Sequence, residues 1–326
     1  MTQTVSRHTR EIADPQQEMR VRAAWIYYVE GRTQNEVAEA LGLNRVAVTR
    51  LLSEARRRGE VAISVASELS PLIALERRLE RRFGVERAIV APLSVEAADP
   101  TPVIAAAAGR HISRMLEPNM TVGVGWGRTL HAALAHLEPR PVRNLRVVSL
   151  LGGIAEAKRF NPAEFAWRFA ECFDAEGFLV PAPALVDSPD TRHALLERCG
   201  IDQVFQMAEA SDIAVVSCGG ISTLTTSYRV GYVSEAERQS LIDAGAVGDV
   251  LYTFFDRQGR VVDHSINRRT MAIDLARLQR VRRRVLLSGG AEKTDILLGA
   301  IAVLAPTTLI TDEQTAKRLL KRDGGA

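Results

Sequence analysis

Four stretches of the chain set glycines beside side chains able to hold a small polar molecule. They are Gly123-Val124-Gly125-Trp126-Gly127-Arg128-Thr129, Leu151-Gly152-Gly153, Cys218-Gly219-Gly220 (with Ser222, Thr223, Thr225 and Thr226 just beyond) and Ser288-Gly289-Gly290-Ala291-Glu292-Lys293-Thr294. Glycine lets backbone N–H groups approach an anion, and a following helix adds its positive end. Lys293 offers a point charge and Arg128 a planar fork, while Asp249 and Asp263 accept from hydroxyls. Such loops suit a phosphate or the hydroxyls of a sugar. Two nucleotide motifs are excluded. Position 128 is Arg, which breaks GxGxxG after Gly123 and Gly125, and Lys293-Thr294 lacks the upstream glycine spacing of a Walker loop. No nucleophile–base set stands out, so no catalytic residue is expected. Cys172, Cys199 and Cys218 are widely spaced with no CxxC, and the six histidines show no ligand spacing, so neither metal nor cofactor is expected. The cysteines fit reduced core thiols of a cytoplasmic protein.

A second chemistry sits at residues 34–53, QNEVAEALGLNRVAVTRLLS. Asn44, Arg45, Thr49, Arg50 and Ser53 fall on one outward face, and these types bond base edges or phosphates. Thr33, Gln34, Val46 and Arg57 complete the candidate DNA-binding surface. The local signals make this a helix-turn-helix. Thr33 caps a helix from Gln34 to Leu41, Gly42 takes the turn, and Asn44 caps a second helix from Arg45 to about Arg58. Val37, Ala38 and Leu41 form one apolar face, and Val48, Leu51 and Leu52 the facing one. The small Ala38 lies where the helices must cross closely for the second to stand proud of the body.

The remaining elements must hold these two sites. Glu18 to Gly31 reads as a supporting helix with an apolar stripe of Val21, Ala24, Trp25 and Tyr28. VAISV after Gly59 is strand-like. Pro71 opens an amphipathic helix with Leu72, Leu75, Leu79 and Phe83 on one face; it is open to reading as a linker, a dimer contact or a helix packed on the next domain. From Arg87 onward, apolar strands alternate with helices: RAIVAP, MTVGVG, LRVVSLLGG, DIAVVSCGG, VLYTFFD, VLLSGG and TLITDE are strands or strand ends. Helices run from Thr101, from Arg128, from Ala163 to Glu176, and over AEKTDILLGAIAVL and EQTAKRLLK. This order implies a mostly parallel sheet covered on both faces, with ligand beyond the carboxyl ends of its strands. The expected fold class is therefore α+β multidomain, a three-helix head followed by an α/β domain. The expected divisions are a disordered stretch 1–17, a head 18–66, a linker helix 67–85 and the α/β domain 86–326.

Composition agrees. The chain has 326 residues, 46% of them hydrophobic, enough for two domains and a sizeable core. No apolar run is long enough for a bilayer and no signal peptide is evident, so no membrane partner is expected. The net charge is only +3, but its excess is in the first part: residues 1–66 carry ten Lys or Arg against eight Asp or Glu, with Arg45, Arg50, Arg56, Arg57 and Arg58 along the second helix of the pair. That is the footprint of a modest phosphate-contacting surface.

The head, TQNEVAEALGLNRVAVTRLLSEARRRGEVAISV, resembles that of the SorC/DeoR-type sugar-responsive transcriptional regulators. The body carries matching landmarks in order: VGVGWGRTL, LLGG, SCGGI, GDVLYTFFD and SGGAEKTDILLGAI before LITDE. The likeness covers roughly residues 18–322, and AAWIYYVEG is also similar to regulators of polyol catabolism. The resemblance implies a carboxy-terminal domain like ribose-5-phosphate isomerase and the glucosamine-phosphate deaminases, used for effector binding rather than turnover. It implies a sugar, polyol or sugar-phosphate effector, double-stranded operator DNA as partner, and a homodimer or homotetramer. It places the effector at Gly125, Trp126, Gly127, Arg128, Thr129 and Lys293, with Asp249 bordering the same pocket; Gly152, Gly153, Gly219 and Gly220 belong to the other loops. Some relatives place a Lys before the Gly-Gly pair and form an imine with an aldehyde sugar. Leu151 stands there, so binding is expected to be noncovalent. Phosphate-binding relatives offer Ser/Thr-rich loops where this chain has Trp126 and Arg128. Two alternatives remain open: a sugar-phosphate isomerase or deaminase with a fused head, and a DNA-binding scaffold whose body only oligomerises.

Overall fold

A computed structural model describes residues 14–61, 70–93, 95, 98–154, 161–222 and 233–322. The chain divides into two compact units, Met1–Glu68 and Leu69–Ala326.

The first unit is three-helical. Asp14 caps α1 (Pro15–Ala24), which passes into one π turn, Trp25–Val29. Helix α2 (Gln34–Leu41) starts in a reciprocal capping box between Thr33 and Glu36 and ends at Gly42, whose φ of 64° an L-side chain adopts only at a cost. Asn44 then caps α3 (Arg45–Arg57) by accepting from Ala47 N at 2.8 Å. The buried apolar core is Ala23, Ala24, Val37, Ala38, Val48, Leu52 and Ala55, four of them alanines, so the helices pack closely. The expected stripe on the first helix is corrected in part. Ala24 is buried and Tyr28 packs half-buried against the core as expected, but Val21 and Trp25 are exposed, and Arg20 and Ala23 turn inward in their place. Arg20 is buried because its guanidinium makes a two-pronged pair with Glu60, at 2.8 and 2.6 Å, joining α1 to the segment after α3. The strand-like VAISV falls at residues 61–65, of which 62–65 lie outside the described residues.

The second unit opens with α4 (Ser70–Phe83), which buries Leu72, Leu75 and Leu79 in the domain's own core. Seven parallel strands form the main sheet: β1 (Arg87–Ala91), β2 (Thr121–Val124), β3 (Arg146–Gly153), β4 (Glu176–Pro183), β5 (Ile213–Val216), β9 (Arg283–Leu287) and β10 (Thr308–Asp312). Their spatial order is β1-β10-β9-β5-β2-β3-β4. Both faces are covered, as strand alternation demands: Val148 and Leu150 of β3 enter one core and Val147 the other, and Ala214 and Val216 of β5 oppose Ile213 and Val215. The open edge of β1 is blunted by α4, whose Glu80 and Glu76 accept from the N–H groups of Ala88 and Val90.

Helices α5 (Thr101–Met115), α6 (Arg128–Ala133), α7 (Pro162–Glu171), α8 (Pro189–Arg198), α9 (Ile201–Glu209), α10 (Glu235–Asp243), α11 (Ser265–Arg269), α12 (Leu275–Leu278), α13 (Thr294–Leu304) and α14 (Glu313–Arg322) complete the unit.

Four expectations are corrected. The helix from Ala163 stops at Glu171, and Glu176 opens an edge strand that tolerates Pro181 and Pro183 because one side needs no partner. DIAVVSCGG is two strands: β5 ends at Val216, and β6 (Cys218–Gly220) joins a separate antiparallel sheet with β7 (Gly248–Val250) and β8 (Thr253–Phe255). VLYTFFD is likewise split, by a two-residue turn at Leu251 and Tyr252, both at positive φ (55° and 61°). Cys199 is exposed rather than a core thiol, Cys172 is half-buried and Cys218 is buried. Among the described residues no helix is long and apolar enough to cross a membrane, and no cluster of three or more His, Cys, Asp or Glu could hold a metal.

Candidate functional site

Sheet order decides where the second unit opens a crevice. The chain runs outward from β2 through β3 to β4, then returns to lay β5 against the other side of β2. The reversal opens a crevice between β2 and β5 at their carboxyl ends. A cavity of about 720 Å3 occupies that position, lined by the loops after β2, β5 and β9, by β6 and β7, and by α10.

Of the residues singled out in the sequence, Trp126, Gly127, Arg128, Thr129, Gly219, Gly220, Asp249 and Lys293 come together in its wall. Gly125, Gly152 and Gly153 do not. Gly125 donates to Val215 O at 2.8 Å and continues the β2–β5 pairing behind the wall. Gly152 donates to Met271 O at 2.7 Å and Gly153 accepts from Ala184, so both are used up in strand pairing. Asp263 is paired with Arg268 outside the cavity. Ser222 lines it, while Thr223, Thr225 and Thr226 lie outside the described residues.

The cavity's chemistry is mixed. Asp249 is buried on β7, directly across from Gly219. A Cβ at Gly219 would meet Asp249 Oδ1 at 2.4 Å, so glycine is what lets the carboxylate stand there. Burial pushes the Asp249 carboxyl up to about 6, against the pull of its bond from Tyr252 N (2.9 Å) and the charge of Lys293. Lys293 donates to Cys218 O at 3.3 Å and Ser288 Oγ at 3.4 Å, which holds its ammonium in the same wall, where its charge acts on that carboxylate without an ion pair to it. Asp249 also closes the positive-φ turn, and the Tyr252 ring stacks on Trp126 with centroids 5.2 Å apart and planes 13° from parallel. The wall therefore offers a carboxylate, an ammonium and an indole at one place, with Arg128 exposed at the start of α6.

Sequence reasoning missed Ser217, Arg238, Ile242, Ala246, Val247, Leu251 and Asp295 of the lining. One signal was present. Ser234 and Glu237 have capping-box spacing, and in the structure they form that box at the start of α10, which carries Arg238 and Ile242.

On the head, α3 presents the expected face. Val46, Thr49 and Arg50 are exposed, as are Asn44 and Arg45. Their freedom differs. Thr33 is engaged with Glu36, and Asn44 with Ala47 N. Gln34 Oε1 accepts from Thr49 Oγ1 at 3.1 Å and, more loosely, from Arg45 Nε at 3.5 Å, tying the start of α2 to α3. Arg57 forks onto Glu54, which Arg57 first and Arg58 second pull down to about 2. Arg50 and Arg56 make no ion pair among the described residues.

Residues 67–321 match the family model described as "Putative sugar-binding domain". Over 318 residues the chain is 30% identical to the erythritol catabolism regulatory protein EryD of Brucella abortus, covering 96% of this chain and all of that one. The chain belongs to the SorC/DeoR family of transcriptional regulators. Within that family it is also 30% identical to the deoxyribonucleoside regulator of Bacillus subtilis, over 93% of this chain and 97% of the relative. The full-length sorbitol operon regulator SorC of Klebsiella pneumoniae superposes with a TM-score of 0.72 at 27% identity, covering 93% of this chain and 98% of that one.

Proposed function

We propose that the chain is a sequence-specific DNA-binding regulator of a carbohydrate-catabolism operon, controlled by noncovalent binding of a sugar, polyol or sugar phosphate in the cavity between β2 and β5. One observation carries the effector half: a buried carboxylate, Asp249, and an ammonium, Lys293, share one cavity wall that also contains an indole. Carboxylate and ammonium divide the donor and acceptor roles of vicinal hydroxyls, and C–H faces pack on the ring. Two relatives are named for the polyols erythritol and sorbitol, in keeping with such a ligand. Leu151 precedes Gly152, and Gly152 is committed to Met271, so no amine is offered there for an imine. The head supplies the DNA half through α3. It docks as one of a pair, within a homodimer or homotetramer, two recognition helices meeting a palindromic site about 34 Å apart.

The effector acts by binding one arrangement of the assembly better than another. A thermal-shift panel of sugars, polyols and their phosphates, run with and without operator DNA, tests this. A true effector at a hundredfold excess over its Kd stabilises by about 2.7 kcal/mol, and its effect changes when operator is present. A panel in which no compound stabilises the chain would leave a DNA-binding scaffold; steady turnover of a sugar phosphate would make the second unit an enzyme.

A further inference from the structure

We infer that Val46 reads the 5-methyl group of a thymine in each half of the operator. The inference rests on the DNA-binding role of α3 proposed above. Among the described residues Val46 is the most exposed large apolar side chain, at 78%. It stands at the second position of α3, just after the Asn44 cap, in the turn that a recognition helix presents to base edges. It contributes nothing to the head's core, which is built from Val37, Val48, Leu52 and four alanines. Valine is also a poorer helix former than alanine, so neither folding nor helix propensity accounts for it there.

The polar neighbours narrow its role. The Thr49 hydroxyl is shared between Arg45 O and Gln34 Oε1, and the Asn44 side-chain Oδ1 accepts from Ala47 N. Arg50 follows Val46 by four residues, so the two project from the same side of the helix. An arginine there serves a phosphate or a guanine. An isopropyl group beside it has one apolar partner on the major-groove edge of a base pair, the thymine methyl.

The test uses the full chain. An operator is enriched from a random duplex library, and each thymine in it is replaced singly by deoxyuridine, which removes only the methyl group. The wild type is expected to lose roughly four-fold in affinity at one thymine of each half-site, the worth of burying one methyl, and roughly fifteen-fold when both are replaced. Val46→Ala is expected to bind the two operators alike while melting no earlier than the wild type. Val46→Ile, which keeps the apolar contact, is expected to retain the preference. If no thymine methyl matters to the wild type, or if one matters equally to Val46→Ala, the inference fails while the DNA-binding role stands. If no sequence is enriched at all, that role fails and the inference with it.

Discussion

Replacing Asp249 with Asn should change how the α/β unit's stability depends on pH. A carboxyl whose folded pKa lies above its unfolded value keeps its proton longer in the folded chain, so its contribution is complete below the unfolded pKa and is lost as pH rises through the folded one. Burial lifts Asp249 from 3.8 to about 6. Its ionisation should therefore cost the wild type about 3 kcal/mol by neutral pH. Asp249 is almost wholly buried, so water screens little of this. Asparagine has nothing to ionise, and its carbonyl can still accept from Tyr252 N. The loss of the charge opposite Lys293 adds an offset that does not depend on Asp249's own titration. The informative quantity is the wild-type-minus-variant difference at two pH values. Between about pH 5 and about pH 8 it should move against the wild type by about 1.4 kcal/mol. In a domain of this size that is about 3–5 °C of relative melting temperature. Thermal melts of both proteins across that range, without ligand, measure it. Parallel curves separated by a constant would mean that Asp249 titrates alike folded and unfolded, and the picture of a buried, destabilised carboxylate in the cavity would be wrong. Movement in the opposite direction would mean that Lys293 dominates over burial.

Three further outcomes are expected. Lys293→Ala should leave operator affinity unchanged but raise the effector concentration for half-response, by roughly ten-fold if one charged hydrogen bond is lost; a wild-type response would misplace the cavity's ammonium. Arg50→Ala should weaken operator binding by roughly 1–3 kcal/mol if the guanidinium reads a base, and an unchanged gel-shift titration would remove it from that role. Gly42→Val forces a β-branched residue to a φ of 64°, which should cost the head roughly 1–2 kcal/mol; equal melting and equal operator affinity would refute the turn's requirement for glycine.

Much of the head was legible because its signals are local. Thr33, Gly42 and Asn44 mark helix ends by their own side chains or lack of one, and the structure uses all three in that way. The first helix was misread for two reasons. The π turn at Trp25–Val29 breaks the 3.6-residue repeat, and Arg20 is buried only because Glu60, forty residues on, meets it. Strand β4 was hidden by Pro181 and Pro183, which argue against a central strand but are tolerated at an edge, and edges are a property of the whole sheet. The β7–β8 hairpin was hidden because its turn uses Leu251 and Tyr252 where glycine or asparagine would announce it; Asp249, Trp126 and Thr270 hold that turn from outside. The four glycine loops looked equivalent. Only the strand order, with its reversal between β2 and β5, separates Gly127, Gly219 and Gly220 from Gly152 and Gly153.

The stacking of Trp126 on Tyr252 gives the protein a built-in optical probe. The chain has three tryptophans. Trp25 and Trp167 are 57% and 65% exposed, so their emission is red-shifted and open to a soluble quencher, whereas Trp126 is only 8% exposed and forms part of the cavity wall. With the two exposed indoles quenched by iodide, the residual blue emission comes chiefly from the cavity. Ligand entry that displaces the ring from Tyr252 changes that emission directly, so occupancy can be followed in the unlabelled wild-type chain.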